Sequence, residues 1–283
     1  MRRLLFLFII TGFLSVSCGQ APDDFQDLLN SGKDALAAGN YNKAVNNLMK
    51  ALELSPSDRD VLYYLGLTFD KLALPDSAHT FLTRAYLLYP RDREINNDLL
   101  RICPQVNDYD GALKAIQALI VTGDSEKMHW PALANFNYAV DNMYLAAEYY
   151  RKLLAEFPDQ PTYHLRLADA LARLDKFDES NAALQNACDR FGPNPMAYSA
   201  MAFNYASMEK FDKAEEYLRK ALELDPDNIP SWVNLGHMLR QRGGPDRKRE
   251  ALGIYRRFLE NAPAEFGLDS LIKALEAEPG VVE

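Results

Sequence analysis

Of the three cysteines in this 283-residue chain, Cys18 is the one whose neighbours point to chemistry. Met1-Arg2-Arg3 and the apolar run 4–14 read as the charged and hydrophobic parts of a secretory signal. The run is too short to span a bilayer comfortably. It ends at Ser15-Val16-Ser17-Cys18, where two processing reactions compete. A small residue directly before a cysteine suits lipidation of that thiol and cleavage ahead of it. The leucine customary three places before such a cysteine is displaced here to Leu14, with Ser15 in its place. Ordinary cleavage after Ser15-Val16-Ser17 would leave Cys18 unmodified. Either route exports the chain, with residues 1–17 as the signal and 18–24 as an N-terminal polar tether, lipidated at Cys18 by the first route.

The remaining candidates for catalysis or metal binding do not assemble in sequence. His79, His129, His164 and His237 are widely spaced, with no HExxH and no paired His/Cys pattern. His129 and His164 could approach one another on neighbouring helices, although the ordinary reading is packing or surface. Cys103 and Cys188 are expected to be buried free thiols, about 40 Å apart at roughly 8–10 Å per packed helix, which is beyond disulfide reach. No phosphate-cradling glycine loop and no GxSxG occurs. The acidic residues are many but scattered. No catalytic residue, cofactor or metal set is expected, and the chain reads as a non-enzyme. A formal charge of -9, made more negative by loss of Arg2 and Arg3, also argues against nucleic acid as a partner.

Helices must hold whatever sites remain. In residues 195–228, Tyr198, Met201, Ala202 and Tyr205 share one face, and Phe211, Ala214, Leu218, Ala221 and Leu222 share another. A polar turn, Met208-Glu209-Lys210, separates the two runs, and Pro226 closes the second. The unit is a helical hairpin, and it recurs. Residues 59–92 carry Leu62, Leu65, Gly66, Phe69, Ala78, Leu82, Ala85 and Pro90 in the same places. Residues 25–58, 127–160 and 161–194 repeat the pattern, with Gly32, Ala134 and Ala168 at its small position. Residues 93–126 depart from it: Cys103-Pro104 falls where the first helix should end, and Gly123-Asp124 replaces the closing proline. Pro104 is expected to shorten or kink that helix. A seventh unit, 229–265, is expected to have a longer turn, Arg242-Gly243-Gly244-Pro245-Asp246, and to close at Pro263. Residues 266–278 suit a capping helix, and 279–283 a frayed tail.

This 34-residue pattern of large, small and aromatic positions resembles the tetratricopeptide (TPR) repeat. The resemblance covers residues 25–265. It implies an all-α, right-handed superhelical solenoid of about seven hairpins plus the cap, in which each hairpin buries its face only against its neighbours. It also implies a concave face lined by first-helix residues. Here those include Arg101, Asn135, Tyr138, Leu165, Asp169, Arg173, Phe203 and His237. Aromatic anchors mixed with single charges suit a peptide or partner protein. Asn135 matches one place of the carboxylate clamp that some such proteins carry, but its Lys/Asn companions are missing. Arg242, Arg247, Lys248 and Arg249 form a basic loop that could dock an acidic partner or lipid headgroups.

The chain is therefore expected to be a scaffold tethered to the bacterial envelope. Its partners would be an envelope protein or peptide and, through the N-terminal lipid, a membrane. The alternative is self-assembly, for example as a homodimer, through solenoid ends or the convex face. Gly19 follows the cysteine in place of the Asp that retains lipoproteins at the inner membrane of enteric bacteria. The periplasmic face of the outer membrane is the favoured location.

Overall fold

The computed structural model describes residues 21–259 and 267–281, with side chains from residue 24 onward. The signal segment, Cys18, Pro263 and Phe266 lie outside the described residues. The chain divides into two compact units, one ending at Gly123 and the other beginning at Asp124. The first holds α1 (Ala21–Ala37), α2 (Tyr41–Leu54), α3 (Arg59–Lys71), α4 (Pro75–Leu88), α5 (Arg93–Ile102) and α6 (Tyr109–Val121). The second holds α7 (Glu126–Ala139), α8 (Met143–Glu156), α9 (Pro161–Arg173), α10 (Phe177–Phe191) and α11 (Pro195–Ser207). It continues through α12 (Phe211–Leu224), α13 (Ile229–Arg242), α14 (Pro245–Phe258) and α15 (Leu268–Glu276). Within each unit every helix packs on the next in sequence, as in a stacked hairpin array. No strand occurs among the described residues.

The hairpins are punctuated by recurring local chemistry. A left-handed backbone conformation recurs every 34 residues in the turns, at Gly39, Ala73, Asn107, Asp141, Asp175, Glu209 and Gly243. First helices begin at side-chain caps: Asp58 accepts from the Val61 amide, Asp92 from Ile95 and Asn228 from Ser231. Each such cap stabilises its helix by about 1 kcal/mol. The carbonyl of the closing proline is also satisfied from the following helix. Asn96 donates to Pro90 (3.0 Å), His164 sits against the Pro158 carbonyl (2.9 Å) and Trp232 donates to Pro226 (2.8 Å).

Close approach of paired helices rests on one small residue facing one large one. A Cβ placed on Gly32 would lie 2.6 Å from Leu48 Cγ, on Gly66 2.6 Å from Leu82 Cγ, and on Gly236 2.5 Å from Tyr255 Cε1. Ala134, Ala168 and Ala202 occupy the corresponding place in the second unit, all buried.

Four expectations need adjusting. The tether is shorter than residues 18–24, because helix already begins at Ala21. The turn of the seventh hairpin is not lengthened: α13 runs to Arg242 and α14 starts at Pro245, leaving only Gly243-Gly244 between them. The extra residues are absorbed as helix, so Arg247, Lys248 and Arg249 lie in the first two turns of α14 and not in a loop. The capping helix is shorter than 266–278, at Leu268–Glu276, and buries Leu268, Ile272 and Leu275. Within the described residues the tail is not frayed as far as Val281, which is 2% exposed and packs into the same apolar cluster. Pro104 acts as expected: α5 stops at Ile102, and Cys103–Val106 forms a 3₁₀ turn.

The small-against-large contact is directly testable. Gly66→Ala should destabilise by about 1–3 kcal/mol through overpacking against Leu82. Leu82→Ala alone should cost about 2–5 kcal/mol. In the double variant the added methyl enters the space left by Leu82, so the Gly66→Ala cost should vanish in a urea-denaturation cycle.

Candidate functional site

The second unit contains a cavity of about 620 Å³ between α9, α10 and α11. Leu165, Leu184, Met196 and Phe203 supply much of its apolar lining, and Asp169 and Arg173 edge it. Met196 and Phe203 are 71% and 65% exposed, so two large apolar side chains stand open to solvent side by side at one cavity. Four of the expected groove residues, Leu165, Asp169, Arg173 and Phe203, thus line one cavity. Phe203 also borders a smaller cavity of about 170 Å³ with His237 and Met238.

The edge is electrostatically organised. The Tyr138 hydroxyl donates to the Asp169 carboxylate, and Arg173 Nε lies 3.1 Å from that carboxylate. The Arg166 and Arg173 guanidinium carbons sit 4.7 and 5.1 Å from the Tyr138 ring centre, two cation–π contacts. Burial and the Asp169 charge both push the Tyr138 phenol above its ordinary value, so it remains a donor. Arg173 also reaches Asp141 (3.3 Å). Beneath this edge, Asn204 donates from Nδ2 to Ser180 Oγ and Asn181 Oδ1, each at 2.9 Å, and Ser180 donates to the Ala168 carbonyl (2.7 Å). The site therefore has apolar walls, a polar floor and a charged edge held in fixed geometry.

Two expected groove residues are committed to the fold. Tyr150 and Tyr255 are the largest fully buried side chains, and burial pushes each phenol up to about 12. Tyr150 donates to Asn135 Oδ1 (2.8 Å), and the Tyr255 hydroxyl meets His237 Nδ1 at 3.2 Å. Asn135 is itself exposed, and its amide oxygen satisfies the hydroxyl of the buried Tyr150, a role in the fold that involves no carboxylate clamp. Arg101 belongs to the first unit, where it pairs with Asp70 (2.9 Å) and Asp98 (2.8 Å), beside Tyr63, which donates to Asp98 (3.0 Å). His129 pairs with Asp124 (3.0 Å) and His164 with a carbonyl, so each of these histidines has its own partner.

The basic residues near α14 are mostly neutralised. Arg242 bridges Asp212 and Glu215, Lys248 reaches Glu278, and Arg249 pairs with Asp246 at 3.1 Å. Arg247 lines a surface depression with Lys210 and Asp212. Cys18 lies outside the described residues. Cys103 and Cys188 are buried free thiols, as expected.

One cluster had no sequence signal. His79, Cys103 and Asp108 converge from α4, the 3₁₀ turn and the start of α6, with donor atoms all within 4.8 Å of one another. They are separated by 24 and 5 residues, which matches no metal motif, and the packing of α4 against the turn between α5 and α6 brings them together.

Two measurements test these assignments. Asn135→Leu should cost about 1–3 kcal/mol by leaving the buried Tyr150 hydroxyl without an acceptor, and adding Tyr150→Phe should recover most of that loss in urea denaturation. Burial, with Arg240 nearby, holds the His237 imidazole below 6.5. As pH falls through 6.5 the unfolded chain takes up this proton before the folded one, so this contribution to stability is present above that pH and lost below it. A histidine NMR titration should place His237 below 6.5.

Tetratricopeptide-repeat models match residues 195–228, 217–250 and 145–195, and a TPR-repeat model matches 32–72. Cytochrome c-type biogenesis protein CycH of Rhizobium meliloti (strain 1021) is 32% identical over 115 residues, 40% of this chain and 29% of that protein. Tetratricopeptide repeat-containing protein trd-1 of Caenorhabditis elegans is 26% identical over 108 residues, 38% of this chain and 13% of that protein. The chain thus spans less than a third of either relative. A chain in the structure of Naa15/Naa10 bound to HypK-THB superposes with a TM-score of 0.60 at 14% identity, covering 93% of this chain and 45% of that one. With family matches in both compact units and hairpins throughout the described residues, this all-α chain carries tetratricopeptide repeats.

Proposed function

We propose that the chain is an exported, lipid-anchored, non-enzymatic scaffold that holds a partner protein at the bacterial envelope through the second unit. Proteins built from such repeats generally mediate protein–protein interaction, and the cavity under Phe203 is the observation that carries this reading. Two large apolar side chains stand exposed beside a cavity wide enough for one or two partner side chains. Tyr138, Asp169 and Arg173 flank it with both signs of charge and are already ordered by one another. Such a site suits an extended segment with an apolar anchor and an adjacent charged or hydrogen-bonding group. The likeness to a protein named for cytochrome c-type biogenesis supports an adaptor role in assembling other proteins. The N-terminal signal and Cys18 support export and attachment to a membrane, with the periplasmic face of the outer membrane favoured.

A photocrosslinking residue at position 203 in the native host should yield a discrete adduct with an envelope protein. The adduct should be lost when Arg173→Ala and Leu165→Ala are added, and no such adduct should form from position 87 on α4. Adducts that are the same from both positions would overturn the cavity as the binding site, and adducts only between copies of this chain would support self-assembly. A clickable palmitate analogue should label the chain and fail to label Cys18→Ser; labelling of neither would remove the lipid anchor.

A further inference from the structure

The first unit holds a cluster that partner binding in the second does not use. We propose that His79, Cys103 and Asp108 form a three-ligand site for a thiophilic divalent cation of the zinc class, with the fourth position open to solvent. The donor atoms are already close to what such an ion requires. His79 Nε2 lies 2.8 Å from Asp108 Oδ2, Cys103 Sγ lies 3.9 Å from the same oxygen, and no pair exceeds 4.8 Å. Ligands at about 2.0–2.3 Å from a tetrahedral zinc stand roughly 3.3–3.7 Å apart. Side-chain adjustment of about 1 Å or less therefore admits the ion. One thiolate, one imidazole and one carboxylate select a borderline-soft cation and disfavour magnesium and calcium, which take oxygen ligands.

The surroundings are arranged in support. Asp108 caps α6 by accepting from the Gly111 amide at Oδ1 (2.9 Å), which orients the carboxylate and leaves Oδ2 toward the histidine and cysteine. Gly111 is required for that pose, because a Cβ there would lie 2.2 Å from Oδ2. Cys103 is 1% exposed, whereas the His79 and Asp108 side chains are 24% and 36% exposed, so the thiol is sheltered while one side stays open for entry. Within the same unit the hairpin pair 34 residues earlier places Val45, Phe69 and Leu74 at the corresponding positions. Those three apolar side chains could not hold a metal as this trio does. The site falls where Pro104 interrupts α5, and a bound ion would tie α4, the 3₁₀ turn and α6 together where helix is lost. On binding, the thiol proton leaves to solvent and the cation takes its place.

Cobalt(II) titration of the purified mature chain tests this. One equivalent should produce a thiolate-to-cobalt charge-transfer band that zinc(II) bleaches, and zinc(II) should raise the thermal midpoint. Cys103→Ser should abolish the band, and His79→Gln should weaken affinity at least about ten-fold, while Cys18→Ser and Cys188→Ser should leave both unchanged. No band, or a band that survives both Cys103→Ser and His79→Gln, would overturn the site and leave a simple His79–Asp108 ion pair. Circular dichroism checks folding. If Cys103→Ser unfolds, the partly exposed His79→Gln decides the question alone.

Discussion

The arrangement depends on backbones of paired helices approaching closely at one small residue. Gly32, Gly66 and Gly236 each lie where a single added carbon would collide with the large side chain of the second helix. A larger first-helix residue would push the helices apart and lose the dispersion contacts that a close-packed interior supplies. Each hairpin has few contacts beyond its neighbours, so such local fits carry an unusually large share of its stability.

Close packing then dictates the polar chemistry. Where the second helix offers Tyr150 or Tyr255 in place of an aliphatic residue, a hydroxyl enters the core and needs a partner. The first helix supplies it at the residue after the small one, as Asn135 or His237. Where a proline closes a hairpin, its carbonyl is met by Asn96, His164 or Trp232 six residues on. Buried polar groups without such partners cost about 1–3 kcal/mol each. These residues are thus committed to folding, and the surface left for recognition is narrower than first-helix position alone implies.

What remains concentrates in the second unit. Leu165, Met196 and Phe203 gather around one cavity, while Tyr138, Asp169 and Arg173 neutralise and orient one another at its edge. An edge ordered before binding reduces the side-chain entropy lost on association. By contrast, most of the positive charge near α14 is already paired within the chain, which weakens its attraction for an outside anion.

By itself the sequence determined the all-α class, the hairpins and their small-against-large faces, because helical periodicity and proline punctuation are local signals repeated many times. It also located the end of α5, since Pro104 cannot donate within a helix. Tertiary structure alone decided which nominal groove residues face a cavity. The same helical place holds Asn135 and Phe203, both exposed, yet Asn135 accepts from the buried Tyr150 while Phe203 lines a cavity, and only the opposing helix distinguishes them. It also joined His79, Cys103 and Asp108, whose separation in the chain carries no motif. Whether a residue is free to bind depends on what its neighbour across the helix pair demands, and that demand arises only when the helices pack.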